Sequence, residues 1–124
     1  MNRKEWCKLV DEAYQTINRI STSKGVEYTQ GTPDMLSNFK GEAEELGVSP
    51  ILIWAVPFLK HTRSIKTFVR DHIAGTTREY SEPIEGRIMD AVVYLLLLLA
   101  LLRDEQRAKD SPVLPLPDSE GGEP

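Results

Sequence analysis

The 124-residue chain is 40% hydrophobic, 27% charged and 7% aromatic, a globular composition at a length that suits one domain with its own core. Its one cysteine, Cys7, excludes a disulfide-stapled secreted scaffold. The net charge of −4 belongs to the end of the chain: Asp110, Asp118, Glu120 and Glu123 follow the last base, Lys109, and the preceding residues balance 15 bases against 15 of the 19 acids. A neutral body argues against general nucleic-acid binding, which usually shows as a basic domain.

From Arg3 to Ile20, Trp6, Leu9, Val10, Ala13, Tyr14, Ile17 and Ile20 recur at steps of three and four, which predicts an amphipathic first helix. Charged and apolar residues alternate there at too short a range for a signal peptide. Ser21, Thr22, Ser23 and Gly25 are expected to end it, leaving residues 24–32 as a connecting loop. Thr32-Pro33 reads as an N-cap followed by proline at the first helical position. The second helix would bury Met35, Leu36, Phe39, Ala43 and Leu46 and stop at Gly47. Ser49-Pro50 repeats the start signal. The third helix is predicted from Pro50 to Asp71 or His72, kinked where Pro57 removes a backbone hydrogen bond. Residues 74–82 form the next loop, and Glu82-Pro83 opens a last helix that continues to about Gln106.

From Ala91 to Leu102 that last helix is apolar on every side for twelve residues, short of the roughly 17–25 that span a bilayer. A helix of this kind is surrounded by protein, so it is expected at the centre of its bundle or between subunits of a homo-oligomer. The expected architecture is all-α: a bundle of about four helices over residues 1–108, with a disordered Pro/Gly/acid-rich tail over 109–124. Pro112 to Pro115 fits a PxxP spacing, but the tail reads better as a spacer. A soluble cytoplasmic protein with no membrane association is the expectation.

No P-loop, dinucleotide fingerprint, HExxH or Cys/His zinc spacing is present. Three polar groups remain. On the third helix, Arg63, Lys66 and Arg70 fall within a sector of about 120°, and Lys60 and Arg78 extend this basic edge. It reads either as a solvated face or as an anion site for phosphates. His61 falls beside it on the side of Trp54, as a core histidine or a ligand-bonding one. On the last helix Arg87, Asp90 and Tyr94 recur at i, i+3 and i+7, so that Asp90 needs a pair, a ligand or a metal if buried. The plainer alternative is an Arg87–Asp90 pair within the helix. On the second helix Asn38, Glu42 and Glu45 form one stripe, and two carboxylates a turn apart can hold Mg²⁺ against phosphates when a third faces them.

The ordered set Lys24-Gly25-x-x-Tyr28, Asn38-Phe39-Lys40, Trp54, Phe58-Leu59-Lys60-His61, Ser81-Glu82-Pro83-Ile84-x-Gly86-Arg87-Ile88-x-Asp90-Ala91 and Tyr94-Leu95-Leu96 resembles phage-encoded, nucleotide-modification-associated small helical proteins. That resemblance covers about residues 20–102 and implies an all-α fold, a link to nucleotides and the cytoplasm of an infected bacterial host. A looser similarity is to MazG-like all-α nucleotide pyrophosphohydrolases, which hold Mg²⁺ with E-x-x-E on one helix and E-x-x-D on another. Glu42 to Glu45 supply the first element, whereas Arg87 replaces the glutamate three before Asp90. An arginine there repels a metal and suits a phosphate.

Three functions stay open on these residues. The favoured one is binding without turnover, by which a phage protein sequesters a nucleotide or a cyclic-nucleotide immune signal of its host. Lys60, His61, Arg63, Arg87, Asp90, Tyr94 and Asn38 would line its site, with Tyr28 or Trp54 stacking on a base. The second is a Mg²⁺-dependent pyrophosphohydrolase or nucleotide-modification accessory, with Glu42, Glu45 and Asp90 on the metal. The third is a protein-interaction inhibitor of a host protein, using the apolar last helix or the acidic tail.

Overall fold

The structure, a computed structural model, describes residues 1–29 and 34–110, with side chains for 1–22 and 34–110. Four helices make up its regular structure: α1 (Arg3–Thr29), α2 (Ser37–Leu46), α3 (Pro50–Ala74) and α4 (Ile84–Asp110). The fold is an all-α bundle. Tyr28 and the Thr32-Pro33 start signal fall where side chains or backbone lie outside the described residues, as does the chain beyond Asp110 with its PxxP spacing.

Local chemistry sets each helix end. A reciprocal pair opens α1: the Glu5 N–H donates to Asn2 Oδ1 and the Asn2 N–H to Glu5 Oε2, both at 2.8 Å, a capping box. The expected stop at Ser21–Gly25 does not occur, and α1 continues to Thr29. The Thr22 hydroxyl donates back to the Asn18 carbonyl at 2.8 Å. A hydroxyl satisfied on its own helix no longer competes with the backbone ladder. Asp34 begins the turn into α2, where its Oδ1 accepts the Leu36 N–H at 2.9 Å. Gly47, at φ 68°, ends α2 as expected, because a left-handed residue turns the chain so that Val48 N–H reaches the Ala43 carbonyl at 3.0 Å. Ser49 caps α3 by accepting the Ile51 N–H at 3.2 Å. Pro57 is held inside α3, which runs past the predicted end to Ala74 and stops at Gly75, φ 71°.

The helices pack in a ring, α1 on α2, α2 on α3, α3 on α4 and α4 on α1. α3 and α4 are antiparallel: Trp54 meets Tyr94, while Arg63 to Phe68 face Ile84 to Arg87. The core joins Leu36, just before α2, Phe39 of α2, Trp54 of α3, and Val93, Leu97 and Leu101 of α4. Met35 and Leu46, expected inside, are exposed. Trp54 joins α3 to α4. Its indole N–H donates to the Tyr94 carbonyl at 2.6 Å and its ring stacks on Phe58 at 4.7 Å, so a polar atom that burial would otherwise penalise is satisfied. Lys40 ties α2 to α4 by bridging Asp34 at 2.6 Å and Asp104 at 3.0 Å. All three side chains are at least a third exposed or nearly so, so Lys40→Met is expected to shift the urea midpoint by no more than about 1 kcal/mol of stability.

α4 is less enclosed than its composition predicts. Ala91, Val93, Leu97 and Leu101 are buried, yet Leu95, Leu96, Leu99 and Leu102 each keep 43–50% of their surface exposed. The reason is geometric: α1 and α3, with side chains from α2, cover part of the rod and leave the rest open. No described helix is long and apolar enough to cross a membrane.

Candidate functional site

The loop after α3 folds back over the α3–α4 seam, and this makes a site. At the end of α3 the side chain of Asp71 is buried to all but 10%. Arg78 grips it with two nitrogens, Nε to Oδ2 at 2.7 Å and Nη2 to Oδ1 at 3.2 Å, and the Tyr80 hydroxyl donates to Oδ2 at 2.5 Å. The Tyr80 hydrogen bond and then Arg78 hold the Asp71 carboxyl below its ordinary range, while the same bond pushes the Tyr80 hydroxyl up. A buried carboxylate meeting a guanidinium fork and a phenol fixes the loop across the top of the seam.

The lowered carboxyl value sets the sign of a pH effect. Asp71's contribution is complete above its ordinary pKa of 3.8 and disappears as the pH falls through the lowered value. Tyr80 keeps its proton, and the bond it donates, until the pH has risen beyond its ordinary 10.0. The loop is therefore anchored throughout the neutral range. Asp71→Asn is expected to make the acid limb of a melting-temperature profile shallower than in the parent protein. An identical acid limb contradicts the anchor.

Under this loop lies a cleft of about 260 Å³. Four bases reach it: Lys60 and Arg63 from α3, Arg78 from the loop and Arg87 from α4. Glu82 is the one acid among the described lining residues. Its Oε2 accepts Arg87 Nε at 3.1 Å, and Arg87 Nη2 donates to Ser81 Oγ at 3.3 Å. Arg87, 17% exposed, is thus aimed from below, as Arg78 is aimed from the loop by Asp71. Each guanidinium has five N–H donors, so both keep donors beyond these contacts. Lys60 and Arg63 make no ion pair among the described residues. The sum is a cationic cleft with hydroxyls at Ser64 and Thr67 and an apolar floor at Phe68 and Ile84. Phe68 also packs against Tyr80 at 5.8 Å, which puts an aromatic wall beside the charges.

Lys60, Arg63 and Arg87, singled out in the sequence, therefore meet in one cleft, whereas Lys66 and Arg70 are exposed and outside its lining. Asn38, Glu42 and Tyr94 line a second cleft of about 330 Å³ with Ile53, Val56 and Pro57. His61 packs on Tyr94 at 4.9 Å, and its buried Nδ1 has no hydrogen-bond partner in the structure. Trp54 is core, so it is not available to stack on a base. The stripe of Arg87, Asp90 and Tyr94 divides: Arg87 and Tyr94 turn towards α3, while Asp90 lines a cleft against α1 with Glu12, Glu82 and Glu85. The intrahelical Arg87–Asp90 pair is replaced by Arg87–Glu82. Glu45 is exposed on α2. No group of three His, Cys, Asp or Glu among the described residues is placed to hold a metal ion, so Glu42, Glu45 and Asp90 do not fit a common Mg²⁺ centre. Arg78, Tyr80 and Phe68 complete the basic cleft, and only Arg78 carried a sequence signal, as an extension of the basic edge.

Comparison of the chain with protein-family models, with curated proteins and with solved structures gives no match. The site is read from its own chemistry.

Proposed function

We propose that the protein binds the phosphates of a nucleotide in the cleft between α3, α4 and the 76–83 loop, and holds that ligand without turning it over. The observation that carries this reading is the pair of aimed guanidiniums, Arg78 and Arg87, converging with Lys60 and Arg63 on one cleft. Arginine forks match phosphate oxygens two at a time, and preset orientation removes part of the ordering cost of binding. Binding without turnover is favoured over Mg²⁺-dependent hydrolysis because the described carboxylates are dispersed over different clefts, Glu42 on one and Asp90 on another. In the setting that the phage resemblance implies, the ligand is a nucleotide or cyclic-nucleotide signal of a bacterial host, held in the cytoplasm.

Self-association belongs to the same proposal. Ile88, Leu95, Leu99 and Leu102 recur on one face of α4 with 41–50% of each side exposed, an apolar stripe of the kind that a second copy covers. The same stripe is what a host-protein inhibitor would use.

A depletion experiment separates these readings. The protein is incubated with Mg²⁺ and a panel of ribo-, deoxyribo- and cyclic nucleotides, and the protein-free filtrate is chromatographed before and after heat denaturation. A nucleotide that disappears and returns intact is the expected result. Its replacement by monophosphate and pyrophosphate would establish an enzyme instead. If every peak is untouched, the nucleotide reading fails and a protein partner takes its place.

A further inference from the structure

Beyond Lys60, towards the start of α3, lies the second cleft. Along α3, Ile53, Pro57, Lys60, Ser64 and Thr67 succeed one another at steps of three and four, and along α4, Ile84, Arg87 and Tyr94 do the same at three and seven. Residues so spaced share one face of a helix. The basic cleft uses the later part of the α3 series and the earlier part of the α4 series, and the Asn38–Glu42–Tyr94 cleft uses the remainder. Since the helices are antiparallel, the two clefts lie end to end on one seam. Seven residues separate Pro57 from Ser64, and seven separate Arg87 from Tyr94, an offset of about 10 Å on either helix at 1.5 Å per residue. That offset suits a 5′-nucleotide lying along the seam with its phosphate at one end and its base at the other.

The far end is chemically opposite to the first. Glu42 makes no hydrogen bond or ion pair among the described residues, and an ionised carboxylate only accepts. Pro57 has no N–H, so the Ile53 carbonyl one turn before it loses its usual helical donor, and both residues line this cleft. Val56, the Pro57 ring and the Tyr94 ring add apolar surface for the faces of a planar group.

We propose that this second cleft takes the base of the nucleotide whose phosphates the basic cleft holds, and that it selects guanine. The inference rests on the phosphate reading above. Guanine presents N1–H and the 2-amino group side by side, two donors that a single carboxylate can accept together. Adenine and cytosine offer one amino group beside an acceptor nitrogen. Uracil and thymine offer one N–H flanked by two carbonyls, which turn like poles towards Glu42. The Ile53 carbonyl is a further acceptor for an amino group.

The test uses the full chain, with dissociation constants measured by calorimetry for 5′-GMP, 5′-AMP, 5′-CMP, 5′-UMP and inorganic pyrophosphate. GMP is expected to bind at least about tenfold more tightly than UMP, the discrimination of a good bidentate base contact. Glu42→Gln, an exposed isosteric change, is expected to remove most of that preference and leave pyrophosphate affinity as it was. Pro57→Ala restores an N–H to the Ile53 carbonyl and is expected to weaken GMP but not pyrophosphate. If pyrophosphate binds while the four nucleotides bind alike in both proteins, the base cleft is overturned and the phosphate site stands. Should neither pyrophosphate nor any nucleotide bind, the phosphate reading fails and the base assignment goes with it.

Discussion

Trp54→Ala is expected to destabilise the protein by about 3–5 kcal/mol, the range for removing a large aromatic side chain from a core. The indole is 7% exposed, stacks on Phe58 and donates to the Tyr94 carbonyl. Its removal opens a void between α3 and α4 at the point where the six-residue buried cluster is joined. A single domain holds only about 5–15 kcal/mol in total, so the variant sits near the edge of folding. Trp54→Phe keeps the apolar bulk and loses the donated bond, and should fall in between. Trp6, 57% exposed on α1, is the control, with Trp6→Ala costing less than about 1 kcal/mol by the usual behaviour of surface positions. Urea unfolding followed by circular dichroism measures all three. Equal losses at Trp6 and Trp54 would contradict the assignment of Trp54 to the core.

The second large effect is on binding. Arg87→Ala is expected to weaken nucleotide affinity by roughly ten- to a hundredfold, which is the ~1.5–3 kcal/mol of a hydrogen bond to a charged group. Arg87 is the most enclosed of the four bases that line the cleft, the other three being exposed, and Glu82 and Ser81 set its direction. Arg87→Lys keeps the charge but not the fork, so it should recover only part of the loss. Arg63→Ala removes an exposed cation with no ion pair among the described residues, and its smaller effect should fade as salt is raised. Isothermal titration at two ionic strengths distinguishes the two behaviours. An Arg87→Ala protein that folds and binds like the parent removes the phosphate site.

The start of α3 and the stop of α2 were legible because Ser49, Pro50 and Gly47 act through local backbone geometry, whereas α3 runs on past its expected end to Ala74. The end of α1 was not legible. Ser21, Thr22 and Ser23 look like a break, but the Thr22 hydroxyl bonds within the helix, and only the surrounding structure decides between the two uses of a hydroxyl. How far α4 is covered within one chain was not legible for a related reason: composition reports how apolar a helix is, and the number of neighbours decides how much of it is covered. Within the site, Lys60, Arg63 and Arg87 were visible as bases on predicted helices. The division of Arg87, Asp90 and Tyr94 between different clefts was not, since periodicity does not show where the boundary between the α1-facing and α3-facing sides of α4 falls within a stripe at i, i+3 and i+7. Nor could periodicity reveal the loop. Arg78 and Tyr80 are placed by the buried carboxylate of Asp71, seven and nine residues earlier, and no repeat encodes a contact of that kind.

The proposed site for phosphate oxygens is where the loop crosses the α3–α4 seam. It is tested most directly by adding inorganic pyrophosphate to the isotopically labelled protein and following the amide and arginine side-chain resonances by NMR. Saturable shifts are expected at Arg63, Ser64, Arg78, Tyr80 and Arg87, with α1 unmoved. Shifts that never saturate, or that gather along α1 and Asp90 instead, would contradict it.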